Sequence, residues 1–225
     1  MTSFSASLRQ YPSPDWRLRA KITVPPAESP ITLEQVKAQL RITNTAEDAY
    51  LQTLIDAATA MAQRVLGRYF VTQTMTAQMD SRLGPMGLSS DRLCQLWGDD
   101  PIQLRGLPVQ SVESVTVIDD NDAETVVPSA AYFLDGLDDD MAARIGLTGN
   151  GHWPSADARL IASVRFVYVV GYGDPADVPA DIQLGLSQLV AYLYANRGDC
   201  GCSDEKCVAM CGGFGSLLQH KIMRI

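Results

Sequence analysis

The sequence predicts an α+β protein: a small bundle of three main helices carrying a β-rich insert, with extended N- and C-terminal arms. Three observations carry this expectation. Two capped amphipathic patterns stand near the N-terminus, a long region of period-two patterning follows, and one Pro-started amphipathic pattern closes the folded part. The expected organisation is an arm over 1–30, a main domain over 31–198, and a Cys-rich segment with a tail over 199–225. Within the domain the helices are expected at about 32–41, 46–66 and 179–197, and the insert at about 69–170.

Residues 1–30 hold Pro12, Pro14, Pro25, Pro26 and Pro30 with little periodicity, the composition of an extended arm. Such an arm is either a disordered tail or a strap over a neighbouring subunit, with Trp16 and Leu18 as anchors. The first helix, Ile31 to Leu40, has Thr32 as N-cap and Gln35 three residues on, the pattern of a capping box, with Ile31 and Val36 as a hydrophobic staple. Leu33, Val36 and Leu40 share one face. The second starts at Thr45, with Glu47 and Asp48 in its positive first turn. Its stripe runs Leu51, Leu54, Ile55, Ala58, Ala62, Val65, Leu66, and Gly67 stops it.

From Tyr69 the period changes to two. Phe70 to Thr76 is rich in β-branched and aromatic residues, and Ile102 to Leu107 reads as a short strand. Val112, Val115, Val117 and Ile118 lead into Asp119-Asp120-Asn121-Asp122, and Val126-Val127 follow: strand, acidic turn, strand. The Asp run lacks the Gly and closing Glu of an EF-hand loop, so it reads as a solvated turn, as does Asp138-Asp139-Asp140. Residues 81–100 and 135–158 read as loops. Leu160 to Val170 is the strongest strand, with both faces expected to be covered. Gly171 to Pro175 turns the chain without the spacing of a nucleotide-binding loop. The last helix has Asp177 as expected N-cap and Pro179 in its first turn. Ile182, Leu186, Leu189, Val190 and Leu193 form its stripe, and Gly198 ends it.

The composition sets limits on function. The 225 residues are 46% hydrophobic, ample for a core, and 26 acidic against 18 basic side chains give a net charge of −8. A sequence-independent DNA binder would carry a basic footprint instead. No run approaches the roughly 18 apolar residues of a membrane span, and Met1 to Arg19 lacks the apolar core of a signal peptide. Cytoplasmic synthesis and reduced thiols are therefore expected. The two histidines, His152 and His220, build no nucleophile–base pattern with any Ser or Cys, so no enzyme is expected.

One dense cluster remains: Cys200, Cys202, Cys207 and Cys211. Four reduced thiolates this close make a candidate tetrahedral zinc site, although the C-x-C pair is a tight geometry for two ligands on one ion. Free cysteines, or disulfides formed after release, are the other readings, and no other cofactor is implied. Behind Gly212-Gly213-Phe214-Gly215, the end Ser216 to Ile225 is apolar with basic side chains interspersed. It reads either as a segment packed on its own domain or, preferred, as a docking peptide for a partner.

Several blocks, in order, resemble the head–tail connector (adaptor) proteins of tailed phages and gene-transfer particles. Ile31-Thr32-Leu33-Glu34-Gln35-Val36-Lys37 is similar to their first helix. Arg64 to Arg68 with Val71-Thr72-Gln73-Thr74 resembles their helix-to-strand joint. Leu107 to Val112, Val167 to Gly173, Val178 to Ile182, and Ala191 to Arg197 resemble the later blocks. The resemblance implies a structural virion subunit at the head–tail interface, made in the host bacterial cytoplasm. It implies a homo-oligomeric ring, typically twelve-membered, below the portal protein. The ring would meet a stopper or tail-completion protein and extend a channel through which duplex DNA passes without sequence-specific binding. The resemblance implies no membrane partner. Mapped onto this chain, portal contact falls on Phe214, Leu217, Leu218, Ile222, Met223 and Ile225. Acidic residues of the 119–124 or 138–140 turns are expected to line or rim the lumen. The resemblance does not reach the Pro-rich arm or the cysteines, which leave a second reading: a cytoplasmic zinc-binding assembly or regulatory module.

Overall fold

The computed structural model describes residues 18–80, 101–137, 142–148, 159, 161–197, 217–218 and 220. Among them the order is β1 (Leu18–Val24), α1 (Leu33–Leu40), α2 (Asp48–Leu66), β2 (Gln73–Met79), β3 (Ile102–Gln103), β4 (Val109–Ile118), β5 (Glu124–Val126), β6 (Tyr132–Asp135), β7 (Arg144–Leu147), β8 (Val164–Val170) and α3 (Ala180–Ala195). A five-stranded antiparallel sheet has the order β1-β2-β8-β4-β5, and a three-stranded one the order β3-β7-β6.

The protein is mixed α+β, as expected, and its three helices are present. A small helical bundle understates the strands, which form two sheets around a core of their own. Met75, Ala77, Val115, Val117, Phe166 and Tyr168 of the larger sheet cluster with Leu104 and with Ile145 of β7. A second core joins the helices: Val36, then Leu51, Leu54, Ile55, Ala58, Ala62 and Leu66 of α2, and Ile182, Leu186, Leu189 and Val190 of α3. Each helix contributes the stripe its 3.6-residue period dictates.

The helix ends are built by local chemistry. Gln35 donates its backbone N–H to Thr32 Oγ1 (3.2 Å) while Thr32 N–H donates to Gln35 Oε1 (2.8 Å), the reciprocal box that starts α1. Gly67 closes α2 in the left-handed region (φ 71°), where a side chain would be strained. Two N-terminal assignments shift. Helix α2 begins at Asp48, so Glu47 stands at the cap position and makes no capping bond. Helix α3 begins after Pro179, while Asp177 belongs to a preceding 3₁₀ turn capped by Asp174.

Three stretches depart from the expected loops and strands. Residues 18–24, assigned to the arm, form edge strand β1, paired with β2 from Leu18↔Met79 to Val24↔Thr74. The flanking prolines break the sequence signal, but sheet hydrogen bonding outweighs it. Within the expected 135–158 loop, Arg144–Leu147 is strand β7, held between β3 and β6. The expected strand 102–107 shrinks to two residues. On β8, Val164, Phe166, Tyr168 and Val170 are buried and the alternate residues half-buried, so one face is covered and the other partly open.

The Gly-rich turn joins the two cores. Tyr172 N–H donates to Phe70 O (2.9 Å), Thr72 N–H to Gly173 O (2.9 Å), and Gly171 N–H to Pro108 O (2.9 Å). Gly171 has φ 118°, and a Cβ there would lie 2.6 Å from the Val71 backbone. Only glycine admits that approach.

Candidate assembly surfaces

Leu217 and His220, among the last described residues, are anchored on the chain's own helical core. Leu217 is completely buried (0% exposed) in the cluster formed by α2 and α3. Its knob fits a notch left by Gly185: a Cβ on Gly185 would lie 2.5 Å from Leu217 Cγ. Arg68, itself only 4% exposed, donates from Nε to His220 O (2.6 Å) and from Nη1 to Tyr172 Oη (3.2 Å). His220 Nε2 lies 2.6 Å from Asp181 Oδ2, which holds the Asp181 carboxyl below its ordinary range. A buried guanidinium needs acceptors, and the terminal backbone supplies one.

This burial bears on one sequence-derived expectation. Leu217, expected among the portal-contacting residues, fills a hole in this chain's own core, as in the packed alternative for the tail. Leu218 beside it is exposed. Phe214, Ile222, Met223 and Ile225 lie outside the described residues, as do Cys200, Cys202, Cys207, Cys211 and Asp138 to Asp140. Among the described residues no group of His, Cys, Asp and Glu is arranged to hold a metal.

A second surface cluster ties the start of α2 to the end of α3. The Arg197 guanidinium lies over the rings of Tyr194 (4.2 Å) and Tyr50 (4.6 Å) and donates to Glu47 Oε1 (3.0 Å). Tyr194 donates its hydroxyl to the same carboxylate. Glu47 is therefore held below the ordinary carboxylate range, by Arg197 first and Tyr194 second, and the Tyr194 hydroxyl is pushed up by Glu47. Glu47, read as a first-turn charge, is instead the clamp between the two helix ends. Its partners lie about 150 residues away, beyond the reach of local sequence patterns.

The acidic turn between β4 and β5 is a closed hairpin turn. Asp119 Oδ1 accepts N–H bonds from Asn121 and Ala123 (2.8 Å each), so its carboxylate is engaged with backbone. Asp122 pairs with Arg159 (2.5 Å) and Glu124 with Arg165 (2.8 Å). This is the turn chemistry expected from the Asp run. No helix among the described residues is long and apolar enough to cross a membrane.

Residues 30–127 match the sequence profile of the family described as phage gp6-like head-tail connector protein. No curated protein matches the chain. Among solved structures, a chain in the "Virion of native gene transfer agent (GTA) particle" is similar in fold, with TM-score 0.70 and 18% identity over 92% of this chain and 96% of that one. A chain in the "Neck of empty GTA particle computed with C6 symmetry" has TM-score 0.69 and 19% identity over 92% and 97%. One in the "Neck of native GTA particle computed with C12 symmetry" has TM-score 0.64 and 19% identity over 92% and 96%. The resemblance read from the sequence is thus borne out: residues 30–127 match the phage gp6-like head-tail connector profile, and the fold is similar to that of chains in gene-transfer-agent particles.

Proposed function

We propose that this chain is a structural head–tail adaptor subunit of a phage or phage-like particle. Copies form a ring below the portal, join the capsid to the stopper or tail, and extend the DNA channel. The observation that carries this reading is that the connector-family match and the near full-length likeness to virion and neck chains fall on the same chain. A ring, twelve-membered in the leading form, agrees with the symmetry named for the similar native neck. Duplex DNA is a passenger: with a net charge of −8, counterion release has little to draw on.

The role is mechanical, not catalytic. The chain's chemistry goes into joints: the Glu47–Arg197 clamp, the Gly171 turn, and the Arg68–His220 anchor. Portal contact is assigned to the exposed Leu218 with Phe214, Ile222, Met223 and Ile225, while Leu217 is reassigned to internal packing. The test is deletion of the gene from the producing genome. The expected product is DNA-filled heads without tails. Tailed particles of normal infectivity or transfer activity would contradict the reading.

A further inference from the structure

We propose that copies of this chain join through the edges of the five-stranded sheet, β1 of one copy against β5 of the next. The proposal rests on the ring reading above and gives its seam. Strand order leaves β1 and β5 as the two edges, each paired on one side only among the described residues. An edge strand is a row of open backbone donors and acceptors, and monomeric proteins usually protect it with charge or cover. Here the edges carry exposed apolar residues as well as charge. Ile22 (43% exposed) and Val24 (56%) on β1, and Val126 (63%) on β5, are the exposed large hydrophobics of this sheet. Its inner strands β2, β8 and β4 contribute none among the described residues.

Charge decides which edge meets which. On β1 stand Arg19 and Lys21, against one carboxylate, Asp80, which pairs with Arg19 at 2.9 Å. The β5 hairpin carries Asp119, Asp120, Asp122 and Glu124, against two cations, Arg159 and Arg165. One edge is left with a positive excess and the other with a negative one. Pairing β1 with β1, or β5 with β5, sets like charges across a strand pair, which is destabilising. Pairing β1 with β5 sets opposite charges together and brings Val126 to the apolar end of β1. Joining two different surfaces of the same chain is a head-to-tail contact, and such contacts close into rings when the rotation permits. Strand β5 is three residues long, so each seam is weak alone and gains by closure. The seam would engage the 119–124 turn, one of the two acidic turns expected from charge to line or rim the lumen.

The test uses the full chain and two variants that place charges at exposed edge positions: Ile22→Glu with Val24→Glu on β1, and Thr125→Lys with Val126→Lys on β5. Assembly is read by sedimentation and by negative-stain imaging of the protein supplied with portal-bearing heads. Each variant alone should need about tenfold more protein, or greater, to assemble. An equimolar mixture should recover rings, because Glu-bearing β1 then meets Lys-bearing β5 and the remaining seams are native. That recovery also shows that both variants fold. Variants that assemble as well as wild type, or a mixture no better than its components, overturn the edge pairing and leave the ring reading standing. A wild-type chain that forms no ring on heads overturns both.

Discussion

The packing of Leu217 on the helical core can be tested by the pair Leu217 and Gly185, because the notch couples the two substitutions. Leu217→Ala removes a fully buried side chain from the helical core. Leu-to-Ala changes in cores cost about 2–5 kcal/mol, and the lower part of that range applies because a terminal segment can relax. Gly185→Ala would on propensity alone stabilise α3 by about 1 kcal/mol. In the native chain, however, its methyl would lie 2.5 Å from Leu217 Cγ, far inside contact distance, so Leu217 must be displaced. The gain should therefore be cancelled or reversed with Leu217 present and recovered in the Leu217→Ala background. The expected coupling in the double-mutant cycle is about 1–3 kcal/mol. Denaturant unfolding of the four proteins measures it. Additive effects, or no loss of stability in Leu217→Ala, would refute the packed end.

Truncation after Gly213 should lower stability by about 2 kcal/mol or more, since Arg68 loses its His220 carbonyl acceptor as well as the Leu217 packing; an unchanged unfolding midpoint contradicts this. Asp181 titrates below its ordinary range because of His220, so its contribution is present at neutral pH and lost as pH falls through the lowered folded value. His220→Ala should raise the Asp181 pKa and shrink that acid-side loss, as carboxyl NMR titration would record. If Cys200, Cys202, Cys207 and Cys211 hold zinc, reduced protein should carry about one metal ion per chain by elemental analysis; metal-free protein with a protease-resistant end removes the site. The isolated chain should give no gel shift with duplex DNA at low salt, and tight, salt-sensitive binding would contradict the passenger role.

Much of the helical part was legible because its signals are local. The Thr32–Gln35 box, the Gly67 stop and the apolar stripes each lie within a few turns, and each appears in the fold. Strand β1 was hidden because its stability comes from pairing with residues about 60 positions away, while the prolines beside it mimic an arm. Strand β7 was hidden for a similar reason: RIGL is short, contains glycine and is held on both sides by neighbours. The assembly surfaces were less legible. That Leu217 is internal depends on a missing Cβ on another helix, which only the folded chain reveals. The Glu47 clamp likewise depends on where α3 ends in space.

The proposed role is that of a ring subunit of the head–tail joint. Imaging the neck of purified particles at a resolution that traces side chains tests it most directly. The expected image is a ring of copies between portal and tail, with the five-stranded sheet recognisable in each and DNA free to pass along the axis. Particles whose neck contains no copy of this chain would contradict it.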